Sequence, residues 1–258
     1  MLRTHTCGEL KESDNGKKVK ICGFVHELRD LNKIKFVLLR DQSGIVQCVA
    51  LKNGLSEQKF NDLSKILPES VVQVDGEVKN NKEARKGFEV VIKDYKLMSK
   101  AEPLPIQVYE KDKSIQTDLS TRLDNRPIDL RKPEVNAIFK IQSALIEGVQ
   151  EVLAKRGFMQ IFTPCIMGIP SESGAEVFEI NYYGKKAFLR QDPQLHRQLA
   201  ILGGVEKLYD LGPSWRAEVS HTTKHLSEHR VIAPEMAFIN DEKDVMDLEE
   251  DIIIGGIK

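Results

Sequence analysis

Apolar and polar positions alternate with a period of two in five short runs over the first hundred residues, the pattern of half-buried strands. Val19-Lys20-Ile21-Cys22-Gly23-Phe24-Val25 is the first, and Ile34-Lys35-Phe36-Val37-Leu38-Leu39 the second. Asp41-Gln42-Ser43-Gly44 supplies turn chemistry and returns the chain into Ile45 to Ala50. The period then lengthens, and Phe60, Leu63 and Ile66 fall on one side of a helix between Ser56 and Ile66. Val71 to Val78 and Phe88 to Leu97 resume the alternation. After a polar interval, Ile138, Ile141, Leu145, Val149 and Val152 recur at three- and four-residue spacing, which predicts a long amphipathic helix. Pro133 suits its first turn and Gly157 its C-terminal cap. Phe158 to Pro164 reads as a strand closed by proline. Two more β-patterned runs, Gly212 to Glu218 and Val231 to Ile239, flank a polar loop, and a last helix begins near Asp241.

Five short strands with one helix between the third and fourth predict a small closed barrel of the oligonucleotide-binding (OB) type over residues 1–104. Ala101-Glu102-Pro103-Leu104-Pro105-Ile106 is a stiff, extended exit from it. Residues 107–131 are polar and charged, so 105–131 reads as a hinge ahead of a second domain at 132–258. The fold class expected is α+β: the barrel, then part of an antiparallel sheet flanked by helices.

The chain has 258 residues and a net charge of −1, which is unevenly placed. Residues 1–104 hold 19 Lys/Arg against 15 Asp/Glu, while the remainder hold 19 against 24. A mildly basic first domain is compatible with a polyanion and equally with an ordinary solvated surface. No apolar run approaches the roughly 20 residues of a membrane span, and the first residues lack the apolar core of a secretion signal. Cys7, Cys22, Cys48 and Cys165 are scattered without paired spacing, which predicts buried, reduced thiols, a cytoplasmic protein and no metal site.

The most informative stretch is Gly212-Pro213-Ser214-Trp215-Arg216-Ala217-Glu218. On a strand, Arg216 and Glu218 would project from one face. The loop at 219–228, rich in cations and hydroxyls, would arch beyond them. A guanidinium fixed beside such a loop can neutralise a phosphoryl oxygen while charge shifts during displacement. The carboxylate can accept from the exocyclic amine of a base.

Several separated segments converge on one family. Thr121-Arg122-Leu123-Asp124-Asn125-Arg126-Pro127-Ile128-Asp129-Leu130-Arg131, the long helix running to Gly157-Phe158 and Pro164, and Trp215-Arg216-Ala217-Glu218 through Phe238 lie in the family's order. The chain resembles the class II aspartyl-tRNA synthetases of the archaeal and eukaryotic type, from about Arg3 to about Glu250. Asparaginyl-tRNA synthetase fits less well, because Arg122-Leu123-Asp124-Asn125-Arg126 is aspartyl-like. The resemblance implies ATP-dependent activation of aspartate and its transfer to tRNA(Asp), with tRNA(Asn) left open. It also implies a homodimer built by the long helix. Arg216 would hold the α-phosphate and the substrate carboxylate, Glu218 the adenine amino group, and Lys224, His225 and Leu226 the outer phosphates. Glu172 would meet the substrate ammonium, and Gln194 and Arg197 would lie along the amino-acid side chain. In the barrel, Phe36 would stack the central anticodon base, and Gln47 and Glu89 would read it. Read from the strand pattern alone, Phe36 is a core residue, and the resemblance reverses that reading. His26 and Arg85 fall where the last anticodon base is read.

The resemblance has departures. The family usually has serine at Asp192, lysine at Arg197 and aspartate at Ala233. Asp192 offers a replacement for that missing charge. No Gly-x-Gly-x-Gly run with a following arginine, the family's motif 3, occurs before Lys258. The acidic Mg2+ ligands that precede motif 3 are missing too, so they are expected further on. Three readings stay open: an aspartate–tRNA ligase seen without its C-terminal third, a non-catalytic tRNA-binding paralogue, and an asparaginyl-type relative.

Overall fold

A computed structural model describes residues 1–109, 117–171, 176–220, 222 and 224–258. They form two compact units, Met1–Pro133 and Glu134–Lys258.

The first unit is built on five strands: β1 (Lys18–Asp30), β2 (Ile34–Asp41), β3 (Gly44–Leu51), β4 (Val71–Asn80) and β5 (Phe88–Ser99). They close in the order β1-β2-β3-β5-β4. The ladders are antiparallel except β3–β5, which pairs in parallel at Cys48↔Val90 and Val49↔Val91. This is the OB barrel that the alternation predicts. Its inward residues, among them Ile21, Val25, Val37, Leu39, Val72, Val74, Val90 and Ile92, make one core. Helix α1 (Glu57–Leu63) adds Phe60 and Leu63 to that core. The Ser56 side chain caps α1 by accepting from the Lys59 N–H, a bond worth ~1 kcal/mol.

The strict alternation slips at one place in β1. Val25 and His26 are both buried, and the β1–β2 register shifts between Val25 and Glu27. His26 is therefore the extra residue of a β-bulge, a device that re-aims a side chain.

The segment read as a hinge is more ordered than its polarity suggests. Residues 119–129 form helices α2 (Leu119–Asp124) and α3 (Arg126–Asp129). Asp129 is fully buried and accepts from Arg122 Nε at 2.7 Å and Arg126 Nη1 at 2.6 Å. Those arginines hold its carboxyl below the usual carboxylate range, Arg122 most strongly. Charged residues here satisfy one another, which composition does not distinguish from solvation.

The second unit opens with α4 (Pro133–Lys155). Gly157, at φ +80°, ends it in a Schellman arrangement. The Phe158 N–H donates to Leu153 O and the Gly157 N–H to Ala154 O. The apolar stripe of α4 divides into two parts. Val149 and Leu153 are buried with Phe158, Tyr209 and Leu248, whereas Ile138, Phe139, Ile141 and Leu145 are exposed.

Two three-stranded sheets follow. One has the order β11-β10-β6, with β10 (Lys207–Trp215) antiparallel to β11 (Glu228–Met236) and parallel to β6 (Met159–Ile161). The other has β9 (Lys185–Leu189) between β7 (Ile166–Met167) and β8 (Glu179–Tyr182). Helices α5 (Gln194–Leu202) and α6 (Glu242–Ile257) complete the unit, with Asp241 capping α6. Three sequence expectations are corrected here. The strand at 158–164 shrinks to three residues, because Phe158 is committed to the helix cap. The run to Ile239 ends at Met236, and Phe238 turns the chain at φ +58°. The sheet is mixed, not purely antiparallel, because β6 joins in parallel.

Of the four thiols expected to be buried, Cys7 and Cys48 are, and burial pushes the Cys7 thiol up to about 12. Cys22 and Cys165 are half-buried. Among the described residues no helix is long and apolar enough to cross a membrane.

One buried ion pair ties the strands of the second unit together. Arg190, just past β9, reaches Asp210 on β10 at 2.8 Å, with both side chains almost fully buried. Asp210 also accepts from Thr163 at 2.6 Å, and the Trp215 N–H donates to Arg190 O at 2.9 Å. A Cβ at Gly212 would meet Arg190 Nη2 at 2.2 Å, so the guanidinium occupies the space a side chain would need. Removing one partner of such a pair leaves an uncompensated buried charge, at about 3–5 kcal/mol. Asp210→Ala is therefore expected to lower the unfolding free energy of this unit by about that much, read by urea denaturation.

Candidate nucleotide pocket and nucleic-acid groove

In the second unit the end of β10 builds a small pocket. Arg216 and Glu218 lie beyond the last strand residue, Trp215, and so are not on the strand as expected. The Arg216 N–H still reaches Ser227 O on the returning chain at 3.0 Å. Then the Ala217 N–H turns to Glu176 O and the Glu218 N–H closes on Arg216 O at 2.7 Å. A tight turn, not strand alternation, brings both side chains to one place. There Arg216, Glu218, Lys224, His225, Leu226 and His229 line a cavity of about 240 Å3. Five of these six are the residues the sequence assigned to a nucleotide. His229 was not singled out, because its β11 position opposite Ser214 only follows from the register.

The loop carries its own order. The Lys224 N–H donates to Thr222 Oγ1 at 3.2 Å, and Thr222 Oγ1 lies 2.6 Å from His225 Nδ1. The Ser220 N–H donates to Glu218 at 3.2 Å, and this bond, with His225 nearby, holds the Glu218 carboxyl below its usual range. Glu218 is thus an ionised acceptor at neutral pH, set among cations.

The residues expected along the amino-acid side chain are arranged differently. Gln194 opens α5 and is exposed. Arg197, one turn on, is buried between two carboxylates: Asp192 at 2.7 Å and Glu235 at 2.9 Å. Burial works against its charge, but the bonds to Asp192 and Glu235 outweigh it and raise its pKa. Asp192, offered as a replacement for a missing charge elsewhere, is spent on Arg197. Ala233 pairs with Asp210 in the β10–β11 ladder. Glu172 lies outside the described residues. Among the described residues no group of three or more His, Cys, Asp or Glu converges as a metal site would.

In the first unit the outer face of β2 and β3 forms a groove of about 780 Å3. His26, Phe36, Gln47 and Arg85 all line it, with Tyr109 and Lys86. Phe36 and Leu38 occupy the outward positions of β2, while Val37 and Leu39 point to the core. Gln47 Nε2 donates to Glu89 at 2.9 Å. A carboxylate can only accept, so this bond fixes the amide orientation and leaves Gln47 Oε1 as a presented acceptor. The groove therefore combines an aromatic platform, oriented amide and carboxylate groups, and cations, the equipment for single-stranded nucleic acid.

Comparison with known proteins agrees with both geometries. Residues 118–258 match the family described as tRNA synthetases class II (D, K and N), and residues 19–98 match the OB-fold nucleic acid binding domain. An aspartate–tRNA(Asp) ligase from Pyrococcus abyssi is 43% identical over 98% of this chain and 58% of its own length. An aspartate–tRNA(Asp/Asn) ligase from Archaeoglobus fulgidus is 41% identical over 98% of this chain and 58% of its own length. A crystal structure of asparaginyl-tRNA synthetase from Pyrococcus horikoshii with asparaginyl-adenylate superimposes with a TM-score of 0.93 at 34% identity, covering 100% of this chain and 58% of that one. The chain thus spans about 58% of the length of these relatives.

The placement of Phe36 has a direct consequence for stability. Phe36→Ala removes a ring from the groove face and should cost under about 1 kcal/mol, whereas Leu39→Ala empties core and should cost about 2–5 kcal/mol. Denaturant unfolding of the two variants separates these, and a Phe36→Ala loss as large as that of Leu39→Ala would place the ring in the core.

Proposed function

Since the chain belongs to the class II tRNA synthetases of the D, K and N group, we propose that it carries the anticodon-binding and nucleotide-binding parts of an aspartate–tRNA ligase acting in the cytoplasm. One observation carries this reading: Arg216, Glu218, Lys224, His225 and Leu226, from the end of β10 and the loop beyond it, line one pocket.

The chemistry is a displacement at phosphorus. A carboxylate oxygen of the amino acid attacks the α-phosphorus of ATP, the new P–O bond forms, and the bond to pyrophosphate breaks. Arg216 binds the α-phosphate and the attacking carboxylate and neutralises charge as it shifts. Glu218 accepts from the adenine amino group, and Lys224 and His225 meet the outer phosphates. The terminal ribose hydroxyl of tRNA then attacks the activated carbonyl and releases AMP. Class II synthetases use Mg2+, but among the described residues Glu218 is the one carboxylate lining this pocket, which does not make a magnesium ligand set.

The barrel groove takes the anticodon: Phe36 stacks a base, and Gln47 with Glu89 reads it. Stacking of this kind is worth ~1–3 kcal/mol per base. The exposed α4 stripe of Ile138, Phe139, Ile141 and Leu145 suits a second copy of the chain. tRNA(Asp) is the proposed RNA partner, with tRNA(Asn) as a second substrate.

A second reading of the amino acid has its own support. Arg197 is already matched by two carboxylates, so this cluster carries a net charge of −1 instead of a spare cation for a β-carboxylate. That favours the uncharged amide of asparagine.

Two experiments follow. Trp215, the sole tryptophan, adjoins the pocket and reports on it by fluorescence. ATP should change that signal, and Arg216→Ala should weaken the response about 10–100-fold, the worth of a charge-assisted hydrogen bond. No response from the unaltered chain would remove the nucleotide reading. For the amino acid, pyrophosphate exchange with aspartate and with asparagine gives the preference. Asp192→Ser releases Arg197 from one carboxylate and should move that preference toward aspartate by about 10-fold; an unmoved ratio would deny the cluster a role in selection.

A further inference from the structure

His26 is the bulged residue of β1 and lines the groove, with its ring against Tyr109 at 4.9 Å between centroids. Its Nδ1 lies 2.8 Å from Nη1 of Arg40, a buried residue of β2. We propose that Arg40 is a positioning residue that fixes His26 as the neutral Nε2–H tautomer, so that the groove reads an acceptor atom on a nucleobase through that N–H. The proposal rests on the groove's being an RNA site and names the chemistry of one contact within it.

The tautomer follows from the donor inventory. A guanidinium has five N–H donors, no acceptor, and does not lose a proton in proteins. The imidazole Nδ1 facing it must therefore be the bare, accepting nitrogen, which leaves the proton on Nε2. Among the described residues Nε2 meets no hydrogen-bond partner. The groove-lining imidazole thus has one unspent group, a donor.

Arg40 cannot swing away to let His26 choose. Its Nη2 is held by Glu69 at 2.8 Å, and Glu69 also takes Arg131 Nη1 at 3.1 Å. The Arg131 guanidinium in turn lies 4.3 Å over the Phe24 ring. Glu69 sits at φ +67°, an uncommon backbone for a residue with a side chain, and is buried there. Its N–H donates to Val25 O at 2.7 Å, immediately before the bulge. The bulge, the left-handed Glu69 and the two arginines are one construction around the His26 ring.

The charges facing His26 agree. Burial first, and Arg40 second, push its pKa down, while Glu69 and Glu27 pull it up by less; Tyr109 meets it through the ring, and Arg29, Glu83, Arg85 and Lys86 line the same groove. With its pKa below the usual value, His26 stays neutral to lower pH than a free imidazole does. The donor that reads the base is therefore kept further into acid than in an unpaired histidine.

The test combines a spectrum with binding. In the 15N-labelled chain at about pH 7, the His26 imidazole should show a bare Nδ1 and a protonated Nε2. An anticodon-arm hairpin RNA of the aspartate tRNA is then titrated between about pH 8 and about pH 6. The unaltered chain and Arg40→Lys, which keeps a donor, should bind with a flat profile. Arg40→Met should bind about 3–10-fold more weakly and acquire a titration near about pH 6.5. Its fold is checked by circular dichroism, and Glu69 keeps Arg131 as partner. As a variant that leaves Arg40 alone, His26→Gln retains a donor and should bind within about 3-fold of the unaltered chain, while His26→Phe should lose about 10-fold. A protonated Nδ1, or an Arg40→Met profile identical to that of the unaltered chain, overturns the inference while leaving RNA binding intact. Failure of the hairpin to bind any form overturns the inference together with the RNA reading.

Discussion

A buried charge has to be matched by its opposite, and that constraint organises both units. The charge of an arginine cannot be discarded by losing a proton, so burial without a partner is prohibitive. The chain meets the requirement repeatedly. Arg40 and Arg131 share Glu69, and Arg122 and Arg126 share Asp129. Arg190 takes Asp210, and Arg197 takes Asp192 and Glu235. Each set joins segments far apart in sequence or pins a segment that apolar burial does not hold. In the barrel the Glu69 set fixes a histidine in the groove. In the second unit the Arg190 set holds the end of β9 against β10, the strand that delivers Arg216.

The cost of these pairs explains their placement. Isolated from water, an ion pair contributes little net stability, but losing one partner is severely destabilising. Such pairs are therefore better suited to fixing geometry than to holding the fold. The hydrophobic work is done elsewhere: by the closed barrel core with Phe60 and Leu63 of α1, and by the smaller cluster of Val149, Leu153, Phe158, Tyr209 and Leu248.

The barrel was legible because its strands obey a period of two and its helix a period near four; Phe60, Leu63 and Ile66, which the spacing puts on one side, are all core. The helix end at Gly157 was legible because only a left-handed residue closes that cap. Three features were not. The bulge at His26 breaks the period by one residue, which looks locally like noise. The order of residues 119–129 comes from Asp129 and its two arginines, and charged residues that pair look like charged residues that are solvated. The clamp on Arg197 joins α5 to β11 across 38 positions, and spacing says nothing about such a contact. Arg216 and Glu218 were correctly paired by their two-residue separation, but through a turn in place of a strand.

The contrast between Arg197 and Arg216 says how charge is divided in the second unit. Arg197 is buried and enclosed by two carboxylates, so its charge serves the protein. Arg216 is exposed and lines a pocket with Lys224, His225, His229 and, among the described residues, one carboxylate, Glu218. A phosphate entering that pocket meets the Arg216 and Lys224 cations, and each attraction strengthens as water leaves. The donors are in place before a phosphate arrives, and the buried Arg190–Asp210 pair fixes β10, the strand that Arg216 follows.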